Sequence, residues 1–337
     1  MFQRLINIFK KAKPCLALDI GSSTIKFLQL SQHVNHYCVE NFAIIPHVPS
    51  TTSQVLHGIV QQFRELCANV SIALPTSAVI SKIIQLPAYL STVAIEQHIL
   101  LDAERYLPYP LTDIHFDFHV LGPNARDHQD VDVLLVITRT ESLQRQLAPL
   151  QAVGMNLQVV DVQSYSLARV VNLLTTDSGV TALMELGAEQ LALTIFSDNQ
   201  VIFSQSEMLG GQQLTQAIQQ HYQLTTEVAE HAKIHNKLPV TYQTEILMPF
   251  QQRIVWHVQR MLQIFQANFP QEKLQQIFLA GGSAGLSGLA AVLAEQLKVN
   301  VKLADPFVKM KLADHLTKTE LVKAANSLVL CAGLALR

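Results

Sequence analysis

The sequence is poor in cysteine, in charged residues and in long apolar runs. Its four cysteines, Cys15, Cys38, Cys67 and Cys331, are scattered and form no C-x-x-C pair, which argues against a zinc knuckle or a disulfide framework. The formal net charge is −2, so a basic surface for nucleic acid is not expected. No apolar run approaches the roughly 20 residues of a membrane-spanning helix. We therefore expect a cytoplasmic protein with reduced thiols.

Two strand–turn–strand patterns stand far apart in the 337-residue chain. CLALDIGSSTIKFLQL begins at position 15, and TALMELGAEQLALTIF begins at position 181. In each, an acid and then a glycine separate two apolar runs. Asp19 and Glu185 are 166 positions apart (185 − 19), as are Gly21 and Gly187 (187 − 21). The shared offset predicts a duplicated α/β architecture with a cleft between two lobes.

The first turn has the composition of a phosphate-binding loop. Backbone N–H groups in a turn of small residues bind phosphate oxygens, and a preceding acid can hold the hydrated Mg²⁺ of a nucleotide. Taken alone, the turn is explained equally well by an ordinary hairpin. The candidate residues are Asp19, Gly21, Ser22, Ser23, Thr24 and Lys26.

A third glycine cluster favours the nucleotide interpretation. In IFLAGGSAGLSGLAAVL, a buried strand is predicted to end at Gly281, Gly282 and Ser283, followed by an amphipathic helix whose N-terminus would favour an anion. Gly210 and Gly211 likewise precede a predicted helix. No G-x-G-x-x-G fingerprint and no Walker motif occurs, so the pattern is neither that of a dinucleotide-binding fold nor that of a P-loop enzyme.

Two histidine patterns raise the question of a metal site. His115, Asp117 and His119 alternate along IHFDFHV and so share one face of a predicted strand. Because apolar residues occupy the other positions, we interpret the polar set as the solvent-exposed face of a half-buried strand. His231 and His235 have a spacing that can bind zinc, but no third ligand is evident.

The N-terminal segment MFQRLINIFKKAK, residues 1–13, places Phe2, Leu5, Ile6 and Phe9 on one helical face. Basic residues flank this face. Two hypotheses are open: an interfacial helix on anionic lipid, or a short helix that docks on its own domain or frays.

Together the motifs resemble the actin/Hsp70/sugar-kinase superfamily and, within it, the PilM family of type IV pilus assembly proteins, related in fold to FtsA. The resemblance covers nearly the whole chain, including ALPTSAVISKIIQLP, AERYLPYPLTDIHFDFHVLGP, DVLLVITR, GMNLQVVDVQSYSLAR and CAGLALR. It implies a duplicated actin-like (ribonuclease H-like) two-lobed ATPase fold. The expected subdomains are 1A (14–90 and 161–180), 1C (91–160), 2A (181–224 and 276–337) and 2B (225–275).

The same resemblance implies ATP and Mg²⁺ as ligands. Asp19 and Glu185 would hold Mg²⁺ through water. Glu230 and Lys233 match an Ala-Glu-x-x-Lys helix that contacts the nucleoside, although such a pair alone is usually a surface pair. The remaining implied contacts are Gly21, Ser22, Ser23, Thr24 and Lys26 in the first loop, Gly187, Gly210 and Gly211 in the second, and Gly281, Gly282 and Ser283 at the adenosine.

Two departures from the family pattern bear on catalysis. Glu185 stands where the family usually has Asp, and Gln163 stands where an acid commonly lies near the attacking water. A neutral amide can orient water but cannot act as a base. We expect ATP binding with slow or absent hydrolysis, and Gln163 as a water-positioning residue.

The implied function is that of a cytoplasmic scaffold recruited to the inner membrane. Its partners would be other pilus platform proteins and the cytoplasmic N-terminal tail of PilN, held in a groove between 1A and 1C. FtsA proteins usually end in a membrane-binding helix, whereas this sequence stops at Arg337 without one. This difference argues against a polymerising FtsA-like protein, which is the alternative hypothesis; a small-molecule kinase with Asp161 as base is a more remote one.

Overall fold

The computed structural model describes residues 16–34, 36–65, 67, 69–106, 109–124, 127–175 and 179–337. The strands are β1 (Leu16–Ile20), β2 (Thr24–Gln32), β3 (Tyr37–Pro46), β4 (Val70–Leu74), β5 (Val79–Pro87), β6 (Ile114–Pro123), β7 (Asp130–Arg139), β8 (Leu157–Val162), β9 (Val180–Leu186), β10 (Leu191–Ser197), β11 (Gln200–Glu207), β12 (Leu274–Ala280), β13 (Asn300–Leu303) and β14 (Lys311–Leu312). The helical segment predicted within residues 1–13 lies outside the described residues.

The helices are α1 (Thr52–Gln62), α2 (Thr92–Leu101), α3 (Ala103–Tyr106), α4 (Thr140–Ala152), α5 (Gln163–Leu174), α6 (Gly211–Tyr222), α7 (Thr226–Ile234), α8 (Met248–Asn268), α9 (Leu289–Leu297), α10 (Lys318–Ala324) and α11 (Val329–Ala335). Among the described residues, no helix is both long enough and apolar enough to cross a membrane.

The chain divides into two compact units. The first contains Ser50–Gln163 together with Leu16, Ala17 and Arg337. The second contains Leu18–Pro49 and Ser164–Leu336. The two acidic turns and both glycine pairs predicted from the sequence therefore belong to the second unit.

In the first unit, the start of β1 pairs in parallel with β4, and β4 pairs in parallel with β8. A separate antiparallel sheet has the order β5-β7-β6. One face of that sheet forms a core with α2, in which Leu86, Phe116 and Leu135 are almost fully buried beside Ile95. The apolar residues that alternate along these strands form this buried face, as the period of two predicts.

The prediction that His115, Asp117 and His119 lie on a solvent-exposed face of β6 was wrong for the first two. His115 and Asp117 are each only 7% exposed, and every residue from Ile114 to Phe118 is buried. Only His119 is exposed. The buried carboxylate of Asp117 accepts a hydrogen bond from the N–H of Phe118 at 2.9 Å, as a buried polar group requires. Alternation shows which side chains share a face, but not whether that face is covered.

In the second unit, a five-stranded sheet has the order β11-β10-β9-β12-β13. β12 runs parallel to β9 and β13, while β10 is antiparallel to β9 and β11. The 21-residue helix α8 packs on the core through one stripe that includes Phe250, Ile254, Met261 and Phe265. These apolar residues recur at helical spacing, so they lie on one face of α8, and that face packs against the core.

The second unit also holds β2 and β3 as an antiparallel pair, with the short β14 parallel to β3. The last helix, α11, packs on β2. Gly333 of α11 lies so close to α5 that a Cβ there would overlap the carbonyl oxygen of Ser166. Nε of Arg169, also on α5, donates to the carbonyl of Gly333 at 2.7 Å. Because glycine has no side chain, α11 can approach α5 this closely at position 333.

Candidate nucleotide site

The two acidic turns fold in the same way. The N–H of Gly21 donates to the carbonyl of Thr24 at 3.0 Å, and the N–H of Gly187 donates to the carbonyl of Gln190 at 2.9 Å. A Cβ on either glycine would crowd the accepting carbonyl, at 3.1 Å and 3.3 Å respectively. The shared offset in the sequence therefore corresponds to a shared turn geometry.

The first turn carries a nearly buried ion pair. Asp19 lies at the end of β1, and the Nζ of Lys26, on β2, lies 2.7 Å from Asp19 Oδ2. Only 12% of the Lys26 side chain and 16% of the Asp19 side chain are exposed. Between them, Ser22 and Ser23 lie at the tip of the turn and are exposed.

The charges around Lys26 link the two repeats. Burial alone would lower the pKa of Lys26, but the charge of Asp19 and its hydrogen bond to the ammonium outweigh burial, and the pKa of Lys26 is raised, with smaller contributions from Cys331 and then Glu185. Both acids predicted from the repeat therefore act on one ammonium group. Nearby, burial strongly raises the pKa of Cys331, whose Sγ lies 3.6 Å from the carbonyl oxygen of Lys26. The protonated thiol is unreactive.

Three glycine-containing loops meet at the carbonyl oxygen of Gly187. It accepts hydrogen bonds from the N–H of Gly211 at 2.9 Å and from Oγ of Ser283 at 3.2 Å. A Cβ on Gly210 would overlap the backbone of Ala188, and a Cβ on Gly211 would overlap Oγ of Ser283. At Gly210 the overlap is with backbone, so glycine is needed there for the loops to approach this closely.

Lys233 reaches this junction from α7. Its Nζ lies 3.2 Å from the carbonyl oxygen of Gly211, 2.7 Å from Oγ1 of Thr215 and 2.7 Å from Oε2 of Glu230. The Thr215 hydroxyl also donates to Glu230. With 10% of its side chain exposed, Lys233 belongs to a packed polar cluster at the start of α6, and not to an isolated surface pair.

The glycine loop Gly281–Ser283 follows β12, beside the end of β9. Glu185 pairs with Ala280 in the parallel register of these strands, so the second acidic turn and Gly281 lie at the same edge of the sheet. Ligands bind at such carboxyl edges in α/β proteins. Gly281 has φ +96°, and a Cβ on it would lie 2.5 Å from the carbonyl oxygen of Leu186.

The helix predicted directly after Ser283 begins later. Residues 281–288 form turns, and α9 starts at Leu289, after Gly288 with φ +75°. The glycines, serines and alanine of this stretch favour turns over helix, and the left-handed Gly288 prevents the helix from starting earlier. An N-terminal helix dipole directly at Ser283 is therefore absent.

Four positioning residues carried no recognisable signal in the sequence. Asn326 donates from Nδ2 to the carbonyl of Gly281 at 2.9 Å and accepts the N–H of Gly281 at its backbone carbonyl at 2.7 Å. The buried Gln251 donates to the carbonyl of Ser287 at 2.7 Å. Thr215 and His47 are the other two. Asn326, Gln251 and His47 lie far in sequence from the loops that they bond. Thr215 lies only four residues after Gly211, but a single threonine inside a helix forms no recognisable motif.

Two residues considered for catalysis lie in the first unit. Asp161 is fully buried, and its Oδ2 lies 3.3 Å from a guanidinium nitrogen of Arg337. Its Oδ1 accepts the N–H of Val162 at 2.7 Å, so this carboxylate does not suit the role of a kinase base. Gln163 is the first residue of α5, and its water-positioning role stays a prediction.

Residues 17–337 match the family of type IV pilus assembly proteins named PilM. The chain belongs to the PilM family. A solved PilM–PilN type IV pilus biogenesis complex contains a chain that is 24% identical, with a TM-score of 0.78 over 97% of this chain and 99% of that one.

More distant structures share the fold of this PilM-family chain. Ethanolamine utilization protein EutJ from Carboxydothermus hydrogenoformans has a TM-score of 0.55 at 14% identity, over 98% of this chain and 92% of that one. MreB 5 of Spiroplasma citri bound to AMPPNP has a TM-score of 0.52 at 11% identity, over 96% and 95%. The predicted family and the predicted actin-like fold are confirmed.

Proposed function

We propose that this PilM-family chain is a cytoplasmic ATP-binding scaffold of the type IV pilus assembly platform. The observation that carries ATP binding is the junction at Gly187, where three glycine loops meet within hydrogen-bonding distance beside the buried ammonium of Lys233. At Gly282 no protein atom lies within 4 Å of a Cβ, which leaves space beside these loops for a flat base or a phosphate. MreB 5, which has the same fold, was solved with AMPPNP.

The residues at this site fit a nucleotide with a divalent cation. The carboxylate of Asp19 lies 2.7 Å from the ammonium of Lys26, and the charge of Glu185 is among those that raise the pKa of Lys26. In the proposed complex both carboxylates hold Mg²⁺ through water, and Lys26 and the first turn contact phosphate. When bound, Mg²⁺ would neutralise part of the negative charge of the phosphates. Glu230, Lys233 and the segment Gly281–Ser283 hold the nucleoside.

Hydrolysis is proposed to be slow or absent. The carboxylate of Glu185 is carried by one methylene more than an aspartate would have, and a displacement of that size matters where a water must be aligned. The amide of Gln163 cannot take the proton of an attacking water. Nucleotide then acts as a structural or conformational ligand, and its binding biases one conformation of the protein.

The proposed partner is the cytoplasmic N-terminal tail of PilN. Family membership over residues 17–337 and the likeness to a chain solved in a PilM–PilN complex support this partner. A scaffold that grips the tail of a membrane protein gains its position at the inner membrane from that tail. The residues of the tail-binding groove and the subdomain boundaries given above remain predictions.

The deciding experiment is calorimetry of Mg·ATP binding to the full chain, with phosphate release followed in parallel. We expect the wild type to bind Mg·ATP saturably and to release negligible phosphate. The variant Asp19→Asn should not bind Mg·ATP. Glu141→Gln is the matched control, because it removes an acid from an exposed ion pair with Arg145. Absence of binding by the wild type would rule out the nucleotide function, and rapid release would rule out a pure binder.

The partner is tested separately with a labelled peptide of the PilN N-terminal tail. Fluorescence anisotropy should show binding to the full chain, with a different affinity when Mg·ATP is present. Equal affinities with and without nucleotide would exclude coupling between the two ligands. No binding in either condition would exclude the tail as the contact.

A further inference from the structure

His47, in the segment after β3, makes two hydrogen bonds to the first acidic turn. Its Nε2 lies 2.7 Å from the carbonyl oxygen of Gly21, and its Nδ1 lies 3.2 Å from the carbonyl oxygen of Val48. A neutral imidazole carries one N–H, and we assign it to Nε2, the nitrogen with the shorter contact, which then donates to Gly21. Its backbone N–H donates to the carbonyl of Ser23 at 3.0 Å. His47 is 9% exposed, whereas Ser22 and Ser23 are exposed. The solvent-facing turn is therefore tied to a buried side chain.

These two bonds determine the direction of two peptide planes. In a trans peptide the C=O and the following N–H point to opposite sides. Holding the carbonyl of Gly21 therefore orients the N–H of Ser22, and holding the carbonyl of Ser23 orients the N–H of Thr24. The N–H of Gly21 is already used inside the turn, where it donates to Thr24. Ser22 and Thr24, whose N–H groups are oriented in this way, are both among the proposed phosphate contacts.

We propose that His47 is a positioning residue of the nucleotide site, which sets the backbone N–H groups of the phosphate-binding turn before the ligand arrives. The inference rests on the proposed ATP-binding function and extends it to a residue outside the glycine loops. A turn held in its binding conformation does not have to be ordered when phosphate binds, so affinity for phosphate-bearing ligands rises. The affinity for parts of the ligand that bind elsewhere, such as the nucleoside, should not depend on His47.

Two substitutions separate the side-chain bond from general packing. His47→Gln keeps an amide N–H that can reach the carbonyl of Gly21, while His47→Met has similar length and no donor. Both keep the backbone bond to Ser23. The exposed His57, which lies on α1, provides the control His57→Met.

Calorimetry with ATP and with adenosine measures the effect on each part of the ligand. We expect His47→Met to bind ATP about tenfold more weakly, the factor of roughly one hydrogen bond, and His47→Gln to stay within about twofold of the wild type. Adenosine, which has no phosphate, should bind all variants equally. His57→Met should bind ATP as the wild type does.

Amide hydrogen exchange of the nucleotide-free protein gives a readout that needs no ligand. Exchange across residues 19–26 should be faster in His47→Met than in the wild type and His47→Gln. Unchanged exchange, an unchanged ATP affinity in His47→Met, or parallel losses of ATP and adenosine affinity would each overturn the role of His47. If the wild type itself failed to bind ATP, the proposed function would be overturned, and the role of His47 with it. The wild-type measurement alone therefore distinguishes this outcome from the others.

Discussion

The ammonium of Lys26 lies 2.7 Å from the carboxylate of Asp19, and more than four fifths of each side chain is withdrawn from solvent. Two charges in such a position depend on each other. Removal of one partner leaves the other poorly hydrated and uncompensated, which costs more than the loss of an exposed pair. The acid proposed to hold the cation of the ligand thus also stabilises the ligand-free fold.

Asp19→Asn should lower the free energy of unfolding by about 2–3 kcal/mol, somewhat less than for a fully buried pair because both side chains keep some exposure. Denaturant unfolding measures this change. The double variant Asp19→Asn, Lys26→Met should recover much of the loss, since it leaves no unpaired charge, while ATP binding stays weak. Glu141→Gln, in a pair that is 68% and 74% exposed, should change stability by less than about 0.5 kcal/mol. Equal losses in the two single variants would contradict the prediction.

The ion pair should also give stability that depends on alkaline pH. The pKa of Lys26 is raised in the folded protein from its ordinary value of 10.5. The stabilisation is therefore fully present below that value and is lost as pH rises through the higher folded pKa. Unfolding followed from about pH 8 upwards should show a steeper loss in the wild type than in Lys26→Met.

Tyr242 titrates in the same region, because burial and the neighbouring Tyr222 raise its pKa to about 12. It is present in both the wild type and Lys26→Met, so its contribution cancels in the difference between them. Parallel pH profiles would show that Lys26 carries no such linkage.

Gly333→Ala should destabilise the protein although alanine is the better helix former. The added methyl overlaps the carbonyl oxygen of Ser166, and forcing the helices apart costs about 1–3 kcal/mol. Gly58→Ala on α1 is the matched control, because a methyl group at that position would have no neighbouring atom within 4 Å and the change should stabilise by up to about 1 kcal/mol. Thermal unfolding of both variants measures the contrast, and effects of the same sign would contradict it.

Gly282→Ala should affect the ligand without affecting the fold. No protein atom lies within 4 Å of a Cβ at this position, so unfolding should change by less than about 0.5 kcal/mol. If the adenosine lies on this loop, the methyl group meets the ligand instead, and calorimetry should show weaker ATP binding. Unaltered ATP affinity in a stable Gly282→Ala variant would place the nucleotide elsewhere.

Local patterns in the sequence were sufficient for the strands and for the turns of the site. The strands on either side of the two acidic turns follow from the apolar runs that flank each glycine. The two acidic turns follow from a glycine at the same offset after an acid. These features depend on residues that are neighbours in the chain, and so the sequence alone predicts them.

The tertiary structure decided the surroundings of those elements. The covering of His115 and Asp117, the late start of α9 at Leu289, and the bonds of His47 and Asn326 to distant loops all depend on which segments pack together. Packing of this kind overrides local preference, because burial and hydrogen bonding act on whatever lies adjacent in space. The sequence by itself determined the turns of the candidate nucleotide site, and only the fold determined which side chains hold them in place.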